Sequence, residues 1–202
     1  MESELNNLEI MNSLIVEAIL TKSESLGLNM ELIENAYRFA KEAVEDRLRD
    51  DGTTFIGHFI RVASILALEL EIRDSEIIAA GFLHALPTHT GVTYKTLEER
   101  FGKRIADSIK LLTIHSEEDQ KHEALIKRLD ESTEKMGALV KLSDRLDNIR
   151  RLRFAERPGK REHYIKQTEN LYIPFAKKMN SYVYEGILFA LQKVKVKTLK
   201  MV

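Results

Sequence analysis

Apolar residues return every three or four positions along nearly the whole chain. That is the period of one face of an α-helix, not the two-residue alternation of a half-buried strand. Leu32, Ala36, Phe39, Ala43 and Leu48 form one such stripe, and Val62, Ile65, Leu66 and Leu70 a second. Ile77, Ala80, Gly81 and His84 form a third, Ile105, Ile109 and Leu112 a fourth, and Leu139, Leu142, Leu146, Ile149 and Leu152 a fifth. Strand-like alternation occurs only in Val194-Lys195-Val196-Lys197. The pattern predicts an all-α helical bundle of about nine or ten helices, with roughly 60–70% helix, well above the usual base rate.

Punctuation residues supply the expected boundaries. Gly52 is predicted to stop a helix that ends near Arg49, and Asp74 to cap one that begins at Ser75. Pro87 follows the His84 helix as a stop signal. Thr93 is placed to cap a helix that closes at Gly102. Ser116 and Asp119 are predicted to open another helix. Gly137 precedes one running from Ala138 to about Arg153, Pro158-Gly159 marks a loop, and Pro174 predicts a kink. Residues 6–27 fit either a separate helical hairpin arm or the first core helix. The expected organisation is an N-terminal helical segment over 1–28, a main domain over 29–195 and a tail over 196–202.

Composition narrows the function classes. The 202 residues suit one domain able to bury a core without staples. With no cysteines, disulfides, thiolate metal sites and cysteine nucleophiles are excluded, and a reducing, cytoplasmic setting fits. No apolar run reaches the roughly 18 residues of a membrane span, and the start Met1-Glu2-Ser3-Glu4 has the wrong charge for a signal peptide. Lys plus Arg is 31 and Asp plus Glu is 32, unlike the basic balance of a general nucleic-acid binder. Three prolines and nine glycines favour long helices with short connections.

Three separated residues bring potential metal ligands onto otherwise apolar faces. His58 shares a face with Val62 and Ile65, and His84 with Ile77 and Ala80. Asp144 has Val140 one turn before it and Asn148 one turn after. A buried carboxylate needs a partner, because an isolated charge away from water is costly. Two imidazoles and a carboxylate around a divalent ion would meet that need. Each residue also has a plainer reading. A lone histidine on an apolar face is more often a hydrogen-bonded core residue, and Asp144 with Arg145 or Arg150 would make an ion pair. Spacing alone leaves both readings open.

Four ordered motifs carry a family resemblance. Gly52-Thr53-Thr54-Phe55-Ile56-Gly57-His58, followed by Arg61-Val62-Ala63-Ser64-Ile65-Leu66-Ala67, resembles the first motif of the ppGpp hydrolase domain of the HD family. Ala79-Ala80-Gly81-Phe82-Leu83-His84 resembles the second. Val92-Thr93, Leu97 and Glu99-Arg100-Phe101-Gly102 resemble the stretch that follows. Lys141-Leu142-Ser143-Asp144-Arg145-Leu146-Asp147-Asn148-Ile149-Arg150 resembles the last. The similarity runs from about residue 30 to 194 and looks like a small stand-alone alarmone hydrolase. It implies an all-α HD-type domain, a bound manganese ion, and release of pyrophosphate from the 3′ position of a guanosine polyphosphate. By this resemblance His58, His84 and Asp144 are metal ligands, and Arg49 and Asn148 contact the substrate.

The departures from the family pattern weigh as much. Where the family has its fourth ligand, an Asp, this chain has Ala85. Where it has the Glu-Asp pair that activates water, this chain has Thr88 and His89, with Pro87 beside them. Asp50 replaces the family's lysine after the arginine. No residue here is an intact catalytic carboxylate. His89, His115 and His122 are candidate substitute ligands. The expected function is therefore that of a metal-dependent guanosine-3′,5′-bis(diphosphate) 3′-pyrophosphohydrolase with impaired catalysis. The alternative is a non-catalytic module that binds an alarmone, another nucleotide or a protein.

A basic stretch of Arg145, Arg150, Arg151, Arg153, Arg157, Lys160 and Arg161 fits either a phosphate-receiving cluster or a solvated face paired with Asp147, Glu156 and Glu162. Tyr164, Tyr172 and Phe175 fit a core better than a base-stacking platform. By the family resemblance, a guanosine polyphosphate or related nucleotide is the expected partner, with no specific nucleic acid and no membrane.

Overall fold

The computed structural model describes residues 2–45, 47–49, 52–114, 121–152 and 158–199. Among these there is no strand, only an isolated backbone bridge between Leu48 and Thr54. The chain divides into two compact units, Met1–Lys110 and Leu111–Val202.

The first unit is built on α1 (Glu2–Ser25), α2 (Met30–Val44), α3 (Phe55–Ser64), α4 (Ser75–Leu83), α5 (Leu86–His89), α6 (Tyr94–Phe101) and all but the last two residues of α7 (Lys103–Leu112). Residues 6–27 resolve to one helix and not a hairpin: α1 buries Val16 and Ile19 and packs on α2 and α3. Asn29 caps α2 by accepting from the Leu32 N–H at 3.0 Å. The buried face of α2 is Ile33, Ala36, Ala40 and Val44, one residue out of phase with most of the predicted stripe, and Leu48 is exposed.

The helix expected to reach Arg49 stops at Val44. Glu45 turns to φ 47°, and the following backbone finds partners outside the helix. Phe55 N–H donates to Arg47 O at 3.0 Å and Arg49 N–H to Thr53 O at 2.7 Å, around Gly52 at φ 77°.

α3 opens at Thr54, whose Oγ1 accepts from the Gly57 N–H at 3.2 Å, and it runs on through a π turn at Ile65–Glu69. Asp74 caps α4 as predicted, accepting from the N–H groups of Glu76 and Ile77 at 2.9 and 3.3 Å. Its other oxygen takes Arg104 at 2.8 Å, fastening α7 to the start of α4. The approach of α3 to α4 depends on Gly81. A Cβ there would stand 2.8 Å from Leu66 Cδ1 and 3.1 Å from Ala63 Cα. Pro87 opens the single turn of α5, where its missing N–H costs no hydrogen bond. Thr93 and Gly102 bound α6 as predicted.

The second unit holds α8 (Lys121–Glu131), α9 (Met136–Leu152), α10 (Pro158–Gln167), α11 (Ile173–Met179) and α12 (Ser181–Leu199). Counting 158–179 as one run and the single turn α5 as a connection gives ten helices among the described residues. α9 starts at Met136, which puts Gly137 inside its first turn, and α12 crosses it closely. A Cβ on Gly186 would lie 3.2 Å from Leu146 Cδ2.

Pro158-Gly159 is the first turn of α10 and not a loop. The irregularity expected at Pro174 falls just before it, as a π turn at Thr168–Tyr172, and Pro174 itself sits in the first turn of α11. The Val194–Lys197 alternation is helical, because α12 continues to Leu199. The helix start predicted at Ser116 and Asp119 lies outside the described residues, as does Arg153. No helix among the described residues is long and apolar enough to cross a membrane.

Candidate functional site

In the first unit, capping by Thr54 puts His58 in the opening turn of α3, and α4 ends immediately before His84. Both histidines are buried, each 4% exposed. Their ring centroids lie 5.2 Å apart at 72°, and the Phe59 ring meets His84 edge-on at 5.3 Å. His84 Nδ1 is 2.9 Å from the Gly81 carbonyl. A carbonyl only accepts, so Nδ1 carries a hydrogen, and in the neutral ring that leaves the lone pair on Nε2, the tautomer a metal ligand needs.

The positions that depart from the family pattern are also in this unit. Ala85 is half-buried and brings no donor atom. Thr88 and His89 are exposed on the single turn α5. The His89 ring packs on Phe55 at 4.7 Å between centroids, and the Arg47 guanidinium donates to the His89 carbonyl. This is a surface aromatic contact. Arg49 is half-buried in the turn ahead of α3.

In the second unit, the carboxylate of Asp144 is buried on α9. Lys141 Nζ donates to its Oδ2 at 2.9 Å, and Asn148 Nδ2 to its Oδ1 at 2.6 Å. Burial alone disfavours the Lys141 ammonium. The adjacent Asp144 carboxylate outweighs that and holds the lysine above its ordinary value. Of the cations near Asp144, sequence reasoning weighed only the two arginines and passed over Lys141. The available signal was its place one turn before Asp144 on the same helix.

Arg145 is a structural residue. Its guanidinium lies between the rings of Tyr164 and Tyr172, at 3.6 and 4.0 Å from their centroids. It donates to Thr168 Oγ1, Gln167 Oε1 and the Tyr164 carbonyl at 2.6–3.0 Å. The phosphate-receiving reading of Arg145 is therefore corrected, and Tyr172 and Phe175 are core, as expected. Burial pushes the Tyr164 phenol up to about 12 and raises that of Tyr172.

His122 Nδ1 lies 2.8 Å from Tyr172 Oη. Burial, with the charges of Arg145, Lys141, Lys121 and His163, lowers its pKa to about 4. That makes it a neutral partner of Tyr172, already engaged. His115, Arg153 and Arg157 lie outside the described residues, and of Lys160 only the backbone is described.

Comparisons with known proteins agree with the motifs. The family model described as HD domain matches residues 36–180. A guanosine-3′,5′-bis(diphosphate) 3′-pyrophosphohydrolase of Aquifex aeolicus is 37% identical over 155 residues, covering 74% of this chain and 22% of that protein. The bifunctional (p)ppGpp synthase/hydrolase SpoT of Escherichia coli K12 is 30% identical over 154 residues, covering 73% and 22%. The chain thus spans about 22% of the length of these curated relatives. A solved structure described as a metazoan ortholog of SpoT that hydrolyses ppGpp shares the fold. Its TM-score is 0.73 at 20% identity, over 80% of this chain and 94% of that one. Motif order, helical architecture and relatives coincide, and the chain belongs to the HD-domain family, alongside proteins named as (p)ppGpp 3′-pyrophosphohydrolases.

Proposed function

We propose that the chain binds a guanosine polyphosphate through an HD-type site and hydrolyses it poorly or not at all. His58, His84 and Asp144 are the candidate ligands of one divalent ion, by resemblance manganese, in a functional domain over 29–195. Two imidazoles and a carboxylate, all buried, are a chemically fitting donor set. A divalent ion held there supplies Lewis acidity and a bound water of lowered pKa. Arg49 pairs with phosphate oxygens through its guanidinium, and Asn148 supplies an amide to the same ligand.

The observation that carries the loss of turnover is at α5. Half-buried Ala85 gives no ligand, and exposed Thr88 and His89 give no carboxylate to take a proton from water. Loss of an anionic ligand weakens metal binding by at least the ~10–100-fold typical of ligand-supporting residues. Loss of general acid–base groups costs roughly 10²–10⁴-fold in rate.

Calorimetry with guanosine tetraphosphate, alongside a pyrophosphate-release assay with manganese, tests the proposal. The native chain is expected to bind the nucleotide, to bind it more weakly after Arg49→Ala or Asn148→Ala, and to release little pyrophosphate. Unchanged affinity in both variants removes the site assignment. Robust pyrophosphate release that His58→Ala abolishes makes the chain a working hydrolase.

A further inference from the structure

Lys141 stands on the second unit's candidate ligand in a way that bears on metal occupancy. Its Nζ lies 2.9 Å from Asp144 Oδ2, with the two side chains only 14% and 11% exposed. The other carboxylate oxygen accepts from Asn148 at 2.6 Å. Both oxygens that a metal would use already have donors, and one donor is a cation shielded from water.

Charge balance among the candidate ligands sets the consequence. His58 and His84 are neutral when they ligate, and Ala85 adds nothing, so Asp144 is the one anion of the set. A single ammonium neutralises a single carboxylate, which leaves these three candidate ligands without net charge to attract a dication. With a second carboxylate at 85, a net negative charge would survive the lysine. Away from bulk water such differences are weakly screened.

We propose that Lys141 is an internal competitor of the divalent ion, its ammonium taking the place of the metal on Asp144 and keeping the metal-free protein folded. The inference rests on the metal reading of His58, His84 and Asp144 given above. Removing the charge therefore acts in opposite directions on two measurable quantities. Without metal, the variant is less stable, because a buried carboxylate has lost its countercharge. With metal, it binds more tightly, because the ion no longer displaces an ammonium. A lysine that merely positions Asp144 would move both quantities down together.

The experiment measures manganese binding by calorimetry, and thermal midpoints with and without manganese, on the full chain. Lys141→Gln removes the charge and keeps a donor for Asp144. Lys141→Arg keeps the charge. The glutamine variant is expected to bind manganese roughly 10–100-fold more tightly than the native chain, to melt lower without metal, and to regain its midpoint when metal is added. The arginine variant should bind no more tightly than the native chain. In an Ala85→Asp background the gain from Lys141→Gln should shrink.

Equal or weaker binding by the glutamine variant, with manganese binding to the native chain intact, overturns the competitor role and leaves the metal site standing. If neither native nor variant binds manganese, the competitor role and the metal reading fall together. Binding by Lys141→Gln that survives an added His58→Ala places the ion elsewhere and also overturns the proposal. If Lys141→Gln does not fold, a native-like affinity in Ala85→Asp does the same, since that variant relieves the same charge balance from the other side.

Discussion

His84 and Asp144 are both buried, and both are held by hydrogen bonds from or to their own helices, yet the two arrangements leave opposite chemistry behind. His84 gives its Nδ1 hydrogen to the Gly81 carbonyl, which in the neutral ring leaves a lone pair on Nε2. Asp144 accepts from Lys141 on one oxygen and from Asn148 on the other. A neutral ligand is made ready by one backbone hydrogen bond, which costs nothing when no metal is present. A buried carboxylate needs a countercharge in the metal-free protein, and under the proposal above that countercharge would oppose the metal. The loss of carboxylates at 85, 88 and 89 affects the two regions unequally for this reason. On the metal reading proposed above, the histidines would offer donors at once, while the aspartate would first have to be released from its lysine.

The largest expected effect comes from returning the missing carboxylates. Ala85→Asp with Thr88→Glu and His89→Asp should raise pyrophosphate release from guanosine tetraphosphate by roughly 10²-fold or more, and by more than the separate changes combined, because such groups act as a unit. A triple variant no faster than the native chain would show that the α5 turn, with Pro87 in it, holds the new carboxylates in the wrong place. Ala85→Asp alone should tighten manganese binding about 10–100-fold with little gain in turnover. Calorimetry and the same release assay separate the two.

Next in size is a change that spoils the histidine region through packing. Gly81→Ala drives a methyl group into Leu66 and the Ala63 backbone, and should lower stability by about 1–3 kcal/mol, read from chemical denaturation. Manganese affinity should fall with it, since α3 and α4 carry the two histidines.

The second unit has its own pH signature. The folded pKa of His122, about 4, lies below its ordinary 6.5. The folded state thus resists a proton that the unfolded state accepts. The associated stability is complete above pH about 6.5 and is lost as the pH falls toward 4, by about 1–2 kcal/mol once the partial exposure of the ring is allowed for. His122→Gln should flatten the thermal midpoint across that window, and an unchanged slope would remove the assignment. The smallest effect expected is that of Asp74→Ala, about 1 kcal/mol from the lost cap of α4, read from the same denaturation curves.

The legible parts of the molecule were those where a local rule and the helical period agree. Asp74, Thr93 and Gly102 were readable as caps because capping is decided within a few residues. His58, His84 and Asp144 stood out as polar groups on apolar faces, and their burial follows from those faces. What escaped was decided by partners that the chain order does not reveal. Val44 ends α2 because Glu45 adopts a positive φ and Arg47 to Phe55 close on themselves, and no glycine or proline announces it. Arg145 looked available for phosphate because nothing local shows that Tyr164, Thr168 and Tyr172 enclose it. Lys141 was hidden by company, one lysine in a chain with 31 basic residues. Only the burial of its neighbour gives it a role.

The two π turns, Ile65–Glu69 and Thr168–Tyr172, have a consequence for how related chains can differ in length. A π turn holds one more residue than the α turn it replaces. Deleting that one residue turns the π turn back into an α turn and leaves the faces beyond it in phase, whereas deleting a residue from the regular helix rotates everything beyond by about 100°. After Glu69 the chain leaves the helix at once, through residues 70–74 with no regular structure, so a shift there is absorbed before α4 begins. After Tyr172 the helix continues directly into α11 and Pro174, so a deletion beyond the π turn would turn Phe175 and Ala176 out of the core. A single-residue gap in an alignment of relatives should therefore be tolerated within either π turn and selected against in the regular helix that follows the second.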